Sequence, residues 1–298
     1  MTQIGMLLIN HVNKLDSVPV GGKNPVRIMG ILNTSPESFF KKSVKTSKQQ
    51  ISDTVKEMES SGADFIDIGG MSTAPYLSTI ISEKTESDRL LTAIKIVQNI
   101  SNLPISVDTC RANVAKVALE NGVKILNDIS GLKYDPKMID VVRKFKPSLI
   151  LCAYDSKTVS GNQITATKKL FQQSLSLTKK ANIPSSRIVL DPAIGFFRNS
   201  GKGIFSTKIK TDWFQRDLLI LQNLKKLGHN YPILISVSNK SFIGKILKKE
   251  DPTDRLFGSI AAEVVSVING ADIIRTHNVS QTLDAVKVAS RLRSHKGL

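Results

Sequence analysis

The chain has 298 residues, of which 41% are hydrophobic, enough to fill the core of one large α/β domain or two small ones. Its formal net charge is +17 at pH 7, a balance that suggests an anionic partner. The lysines, however, occur as pairs spread over the chain, with few aromatic residues between them for bases to stack on. Nucleic acid is therefore not expected as a partner.

Membrane proteins and zinc proteins are also disfavoured classes. The longest apolar run near the start, Ile4–Ile9, is too short to span a bilayer and lacks a basic start and a cleavage pattern. Cys110 and Cys152 lie far apart, and the four histidines are scattered. We expect a cytoplasmic enzyme with buried, reduced thiols and no membrane partner.

From Val26 onward, short β-branched runs alternate with longer amphipathic segments. The runs predict eight strands: Arg27–Leu32, Phe65–Ile68, Ile105–Val107, Lys124–Leu126, Leu149–Leu151, Ile188–Leu190, Ile233–Val237 and Ile273–Arg275. The amphipathic segments predict helices at Ser47–Ser61, Ser82–Ile100, Ala112–Asn121, Pro136–Lys144, Ile164–Ala181, Trp213–Leu227, Arg255–Asn269 and Val279–Leu292.

This alternation predicts an α/β fold with a parallel sheet covered by helices. Eight β/α units in roughly 250 residues favour a closed (β/α)8 TIM barrel over an open doubly wound sheet, which is the alternative. Residues 1–25 fall outside the alternation, and we expect this N-terminal extension to form a short hairpin or cap under a barrel domain of residues 26–298.

Polar residues recur where the predicted strands end, which is where a barrel collects its chemistry. Asp108, Asn127, Asp191 and Lys240 follow four different strands. Together they offer acceptors and donors to a flat heterocycle with amino and amide edges. Each residue alone is explained as a helix cap, but four at one face of a barrel favour a binding site.

Two further features lie at strand ends. Arg275 and His277 are two positions apart in an extended stretch, so they point to the same side and suit an anion such as a phosphate. Gly69 and Gly70 end the second strand without side chains and are expected to leave room for a substrate.

These stretches resemble the dihydropteroate synthase family, within the wider pterin-binding superfamily. The matching segments run in the family's order from about residue 26 to 290: "MGILNTSPESFF" (29–40), "GADFIDIGGMSTAP" (62–75), "ISVDTCRANVAKVALENGVKILNDISGL" (105–132), "VLDPAIGFF" (189–197), "SNKSFIG" (238–244) and "GADIIRTHNV" (270–279). The resemblance implies a (β/α)8 barrel, in agreement with the alternation.

The resemblance implies that an arylamine displaces pyrophosphate from 6-hydroxymethyl-7,8-dihydropterin diphosphate. It implies a catalytic set of Asp108, Lys240, Arg275 and His277, and a Mg²⁺ cofactor linked to Asn33. It further implies substrate contacts from Asn33, Thr73, Asp108, Asn127, Asp191, Phe196, Lys240, Ser241, Arg275 and His277. A homodimer is expected from the resemblance alone.

The sequence departs from the family pattern in its substrate loops. In the usual Gly-Gly-Glu-Ser-Thr-Arg-Pro-Gly stretch, Met71 replaces the glutamate, Ala74 the arginine and Tyr76 the last glycine. Phe40–Lys42 replaces an Asp-Gly-Gly stretch, and Asn239 replaces the arginine of Ser-Arg-Lys-Ser. The pterin pocket is therefore expected to be preserved while the loops that order the other groups are rewritten.

The choice of acceptor and two other functions stay open at this point. The acceptor is either 4-aminobenzoate or a ribosylated aminobenzene phosphate, as in folate or methanopterin biosynthesis. A pterin-binding methyltransferase that passes a methyl group to a corrinoid protein shares the barrel and its pterin-binding positions. A non-catalytic pterin-binding protein would explain the altered Ala74 and Asn239.

Overall fold

The main body of the protein is a barrel of eight parallel strands wrapped by helices. A computed structural model describes residues 12–36, 44–73, 80–200, 203–228 and 230–294. The strands are β1 Lys14–Leu15, β2 Val18–Pro19, β3 Arg27–Asn33, β4 Phe65–Gly69, β5 Ile105–Asp108, β6 Ile125–Asp128, β7 Ser148–Cys152, β8 Ile188–Asp191, β9 Phe197–Arg198, β10 Thr207–Lys208, β11 Leu234–Ile235 and β12 Ile273–Thr276.

The barrel strands lie in the order β11-β12-β3-β4-β5-β6-β7-β8, each parallel to its neighbour. A parallel bridge between Leu190 and Ile233 joins the last strand to the first and completes the ring. Strands 9 and 10 pair with each other outside the ring. The predicted (β/α)8 TIM barrel is thus confirmed.

The helices are α1 Lys48–Ser60, α2 Glu83–Ile100, α3 Ala112–Glu120, α4 Met138–Phe145, α5 Gln163–Lys180, α6 Trp213–Gln222, α7 Lys225–Gly228, α8 Ser241–Leu247, α9 Leu256–Ile268 and α10 Val279–Ser294. Local sequence sets several of their ends. Ser47 and Gln50 form a capping box at the start of α1, and Gly62 takes a φ of +87° just after the end of that helix.

Within the described residues, the helices are too short or too polar to span a bilayer.

Each predicted strand and helix overlaps an observed element, although β11 covers only Leu234–Ile235 of the predicted Ile233–Val237, and the helices show two further differences. The predicted helix Trp213–Leu227 is divided into α6 and α7, because Asn223 caps α6 with its backbone N–H on Ile220 and its side chain on Leu219. The short α8 after β11 was not predicted, since seven residues are too few to show a helical period.

Side chains alternate between the inside and the outside of the barrel. The lower inward layer is apolar and is formed by Met29, Phe65, Ile125, Ile150, Val189, Leu234 and Ile273. Two residues further along the strands, the inward positions become polar, as in Asp67 after Phe65 and Asp191 after Val189. A dry plug therefore supports a polar floor at the carboxyl ends of the strands.

The N-terminal segment closes the lower end of this plug. β1 and β2 form an antiparallel hairpin, with Lys14 opposite Pro19. Leu15 and Val20 are buried against the apolar layer. The expected hairpin and cap are observed for the described part of residues 1–25, while the division into an extension and a barrel domain at residue 25 stays a prediction.

Candidate active site

One cavity lies at the carboxyl ends of the barrel strands, as expected for a TIM barrel. The sequence-predicted substrate-binding and catalytic residues all line it: Asn33, Thr73, Asp108, Asn127, Asp191, Phe196, Lys240, Ser241, Arg275 and His277. The barrel brings these residues together from seven of its strand ends. Their individual roles stay predictions, and the departures at Phe40–Lys42 and Ala74–Tyr76 lie outside the described residues.

At the floor of the cavity, Arg275 is held by two carboxylates. Its Nε lies 2.6 Å from Asp67 Oδ2, and its Nη2 lies 2.9 Å from Asp108 Oδ2. Asn127 Nδ2 also donates to Asp67 Oδ2, over 3.1 Å. The side chain of Asp67 is fully buried and that of Arg275 is 14% exposed, so water screens the pair little. This network joins inward side chains from β12, β4, β5 and β6.

Burial and the neighbouring charges set the protonation of this network. Burial raises the pKa of Asp108 to about 7, although Arg275 opposes the shift. Burial acts to lower the pKa of Arg275, but Asp67 and Asp108 outweigh it and raise the pKa above its ordinary value. The guanidinium therefore stays charged, while Asp108 can titrate near neutral pH.

Asp191 and Lys240 form a second polar group at the β8 and β11 ends of the cavity. Asp191 Oδ1 accepts a 2.7 Å hydrogen bond from the backbone N–H of Ala193, and burial raises its pKa. The Lys240 ammonium lies 4.0 Å from the centroid of the Phe196 ring. Burial, with a contribution from Arg275, lowers the pKa of Lys240 to about 8. Lys240 is therefore a cation at neutral pH that loses its proton just above it.

His277 enters the cavity from the end of β12. Its Nδ1 lies 3.0 Å from Ser238 Oγ, which also accepts from the His277 backbone N–H. Burial, followed by Arg275 and Lys240, lowers the pKa of His277 to about 3. The imidazole is neutral at pH 7 before substrate binds, so it meets an anion as a neutral hydrogen-bond donor.

The two glycines that end β4 have different reasons to be glycine. A Cβ at Gly69 would lie 3.4 Å from Asn33 Oδ1, inside the cavity. A Cβ at Gly70 would lie 2.9 Å from Leu90 Cγ and 3.0 Å from the carbonyl of Glu86, both on α2. The expectation that both glycines leave room for substrate is thus met at Gly69, whereas Gly70 allows close packing of a helix.

Sequence reasoning missed two functional candidates, Asp67 and Arg198. Asp67 could have been found, because a charged residue inside the apolar strand Phe65–Gly69 needs a buried partner. Arg198 lines the cavity, and its Nη2 donates to Ser241 Oγ over 2.7 Å. Its guanidinium also lies 4.3 Å from the Trp213 ring centroid. It lies seven residues after the end of β8, in the two-residue strand β9, which is too short to show a periodic pattern.

Known proteins show the same arrangement of motifs and fold. A family model described as "Pterin binding enzyme" matches residues 29–277. Dihydropteroate synthase from Synechocystis is 35% identical over 272 residues, covering 89% of each chain. The chain belongs to the dihydropteroate synthase family. It is accordingly an enzyme of the transferase class, and the predicted resemblance is confirmed.

Solved structures of dihydropteroate synthases agree with this fold. One from Coxiella burnetii, in complex with pteroic acid, is 33% identical and superposes with a TM-score of 0.80, covering 95% of this chain and 98% of that one. Another from Xanthomonas albilineans, with 4-aminobenzoic acid, is 26% identical with a TM-score of 0.78, covering 92% and 95%. The fold of this chain is therefore that of the dihydropteroate synthases.

Replacing Asp67 with Asn is expected to weaken the whole network. The change removes one of the two charges that hold Arg275 and should lower the free energy of unfolding by about 2 kcal/mol, the contribution of a charged hydrogen bond. Urea denaturation followed by circular dichroism measures it. Asp88→Asn is the matched control, since Asp88 is 60% exposed and pairs with an 84% exposed Lys84. Equal stability changes in the two variants would contradict the importance of the network.

Proposed function

We propose that this enzyme joins 6-hydroxymethyl-7,8-dihydropterin diphosphate to an arylamine in folate biosynthesis and releases pyrophosphate. The observation that carries the proposal is the meeting of Asp108, Asn127, Asp191 and Lys240 in one cavity of a dihydropteroate synthase family member. These side chains match the donors and acceptors of a pterin ring.

The pterin edge has complementary partners in this group. Asp191 accepts from the neighbouring N–H and NH₂ groups of the ring, as a carboxylate does in a bidentate pair. Asn127 donates its N–H to Asp67, so its amide oxygen serves as an acceptor for the substrate. Lys240 donates to a ring carbonyl or nitrogen while its ammonium lies over Phe196. The pterin ring is thus recognised by charged hydrogen-bonding groups as well as by shape.

The reaction requires charge stabilisation and no side-chain nucleophile. The bond between the methylene carbon and the diphosphate oxygen breaks, its electron pair leaves with pyrophosphate, and positive charge spreads over the electron-rich pterin. Asp108 and Asp191 stabilise that charge. The arylamine lone pair then forms the new C–N bond, and the amine loses a proton. Cys110 and Cys152 do not compete as nucleophiles, because burial raises the pKa of both thiols.

The leaving diphosphate is assigned to Arg275 and His277. The guanidinium of Arg275 already pairs with Asp67 and Asp108, so a bound diphosphate would share it with these carboxylates. His277 is neutral in the free protein, and a nearby diphosphate would raise its pKa and favour the protonated form. Binding of the diphosphate would therefore change the charges around the pterin, because it shares Arg275 with two carboxylates and favours protonation of His277.

A magnesium ion fits the residues near Asn33. Mg²⁺ is commonly held by one or two protein oxygens together with substrate phosphates and water. The described residues contain no cluster of three His, Cys, Asp or Glu side chains suited to a metal ion, so a metal would enter with the diphosphate. The amide oxygen of Asn33 would be its protein ligand. When bound, the ion would neutralise charge on the departing pyrophosphate.

For the acceptor, we propose 4-aminobenzoate, recognised by Arg198 and Ser241. Ser241 Oγ accepts from Arg198, so the serine proton is directed elsewhere and can be donated to a ligand oxygen. A guanidinium and a hydroxyl side by side suit a compact carboxylate. The related enzyme from Xanthomonas albilineans has been solved with 4-aminobenzoic acid. The ribosylated aminobenzene phosphate stays the alternative acceptor.

The two other functions have less support. The curated relatives and the solved structures named above are dihydropteroate synthases, which favours synthesis over methyl transfer to a corrinoid protein. Membership of an enzyme family disfavours a non-catalytic pterin-binding role. No described contact favours either alternative.

The homodimer and the cytoplasmic location stay predictions. Apolar side chains do lie exposed on α9 and α10: Phe257 is 82% exposed, Val288 is 62% exposed and Leu292 is 61% exposed. A second copy of the chain would bury such a surface.

Pyrophosphate release tests the proposed reaction. With Mg²⁺ and the pterin diphosphate, the wild-type protein should release pyrophosphate when 4-aminobenzoate is added. Asp191→Asn should lose pterin affinity by about 2 kcal/mol, roughly 30-fold, because a charged hydrogen bond is weakened. A coupled phosphate assay and fluorescence titration with 6-hydroxymethylpterin measure these two effects.

The control for this experiment is Asp140→Asn, which makes the same chemical change at a side chain that is 75% exposed. Its turnover and pterin affinity should equal those of the wild type. Failure of the wild type to release pyrophosphate with either 4-aminobenzoate or the ribosylated acceptor would contradict the proposed function.

Replacing Arg198 with Met tests the acceptor. The variant should lose about tenfold or more in kcat/KM for 4-aminobenzoate, because the carboxylate loses its cationic partner. With 4-aminobenzamide, which has no charge, wild type and variant should be similar. The KM for the pterin diphosphate should not change.

Comparing the two arylamines, 4-aminobenzoate and 4-aminobenzamide, also tests a different role for Arg198, in binding the leaving group. Equal losses with 4-aminobenzoate and 4-aminobenzamide, together with a raised KM for the pterin diphosphate, would place Arg198 on the leaving group and contradict its role in acceptor recognition.

A further inference from the structure

A buried ion pair lies directly behind the active-site cavity, on α6. Arg216 and Asp217 are both fully buried, with Arg216 Nη1 3.0 Å from Asp217 Oδ1. One turn later the same face of the helix carries the buried apolar residues Ile220 and Leu221. Two charges have therefore been placed where helix packing alone would take apolar side chains.

The pair fastens the loop that follows β8. Arg216 Nη2 donates to the carbonyl of Pro192 over 2.6 Å, and its guanidinium lies 3.6 Å from the centroid of the Phe197 ring. Asp217 Oδ2 accepts a 3.0 Å hydrogen bond from the backbone N–H of Gly195. The loop is thus fixed at its beginning, its middle and its end.

The loop has a strained backbone conformation that requires stabilising contacts. Ala193 has a φ of +57° and Gly195 a φ of +84°, both in the left-handed region. This region is disfavoured for alanine because of its Cβ atom. Arg216 Nη1 also approaches the carbonyl of Ala193, at 3.4 Å. Contacts from α6 therefore support the strained part of the loop.

The same loop sets the geometry of the predicted pterin-binding side chains. The backbone N–H of Ala193 donates to Asp191 Oδ1. Gly195 passes so close to Lys240 that a Cβ there would lie 2.9 Å from Lys240 Cδ. Phe196, the next residue, lies under the Lys240 ammonium. A shift of the loop would therefore disturb Asp191, Phe196 and Lys240 together.

We propose that Arg216 and Asp217 are positioning residues, which hold the loop 192–197 so that Asp191, Phe196 and Lys240 meet the pterin ring. The proposal rests on the proposed function for the identity of the ligand. Neither residue lines the cavity, so both act through the loop.

A role in fold stability explains the Arg216–Asp217 pair less well than a positioning role does. Buried ion pairs often add no more stability than apolar side chains of similar volume. Arg216 Nε is buried and has no hydrogen-bond partner among the described residues, so the pair is not fully satisfied. Apart from one 3.4 Å contact of Arg216 Nη2 with Thr167 Oγ1 on α5, the side-chain hydrogen bonds of the pair to other residues go to the loop, which is what a positioning role requires.

The test uses the double variant Arg216→Met/Asp217→Leu, which removes both buried charges together. Its unfolding midpoint in urea should stay near that of the wild type. Its Kd for 6-hydroxymethylpterin should rise about tenfold or more, as expected when charged hydrogen bonds lose their alignment. The matched control is Leu221→Ala on the same helix face, which should lower the unfolding midpoint without changing the Kd.

Two single variants provide a second test, because both remove the Asp217 charge that pairs with Arg216 and they differ in the acceptor left for the Gly195 N–H. Asp217→Asn keeps an oxygen acceptor for the Gly195 N–H and should bind the pterin nearly as well as the wild type does. Asp217→Ala loses the acceptor and should bind it several-fold more weakly, by an amount typical of one lost hydrogen bond. Equal Kd values for these two variants would overturn the positioning role, even if the double variant did not fold.

These outcomes separate the positioning role from the proposed function. A folded double variant that binds 6-hydroxymethylpterin as tightly as the wild type overturns the positioning role alone. A wild-type protein that binds no pterin and releases no pyrophosphate overturns the proposed function, and positioning of a pterin with it.

Discussion

The pairing of Arg275 with Asp67 and Asp108 is the interaction on which the rest of the active site depends. Three charged side chains meet on the barrel floor with little access to water. Each would be costly to bury alone, and the two ion pairs offset part of that cost. The network also leaves Asp108 near its titration point at neutral pH. The protein therefore places two carboxyl groups on the barrel floor, where the proposed reaction would develop positive charge on the pterin.

The barrel makes this arrangement possible because its inward positions change character along each strand. A lower apolar layer, sealed by Leu15 and Val20, excludes water and supports the polar residues above it. Loops and helices then fix the second polar group from outside, as Arg216 does through the loop after Asp191. The result is an inner floor held by ion pairs and an outer wall held by contacts between loops and helices.

Much of this could be predicted from the sequence. Alternating short and long apolar patterns located the eight strands, and polar residues at the strand ends located Asp108, Asn127, Asp191 and Lys240. The partner of Arg275 could not be assigned in this way, because Asp67 lies 208 positions away and meets it only when the barrel closes. The roles of Arg198 and Arg216 could not be assigned either, because their partners, Ser241 and the loop 192–197, come close to them only in the folded chain.

The titration of Asp108 tests the central interaction most directly. ¹³C NMR of protein labelled at the aspartate carboxyl carbons, with Asp108→Asn to assign the signal, follows this carboxyl as pH is raised. In the wild type it should titrate near pH 7, because burial raises its pKa against the opposing charge of Arg275. In Arg275→Met that opposing charge is gone, so the midpoint should move higher still. A midpoint near the ordinary value for aspartate in the wild type, or one that Arg275→Met leaves unchanged, would contradict the account.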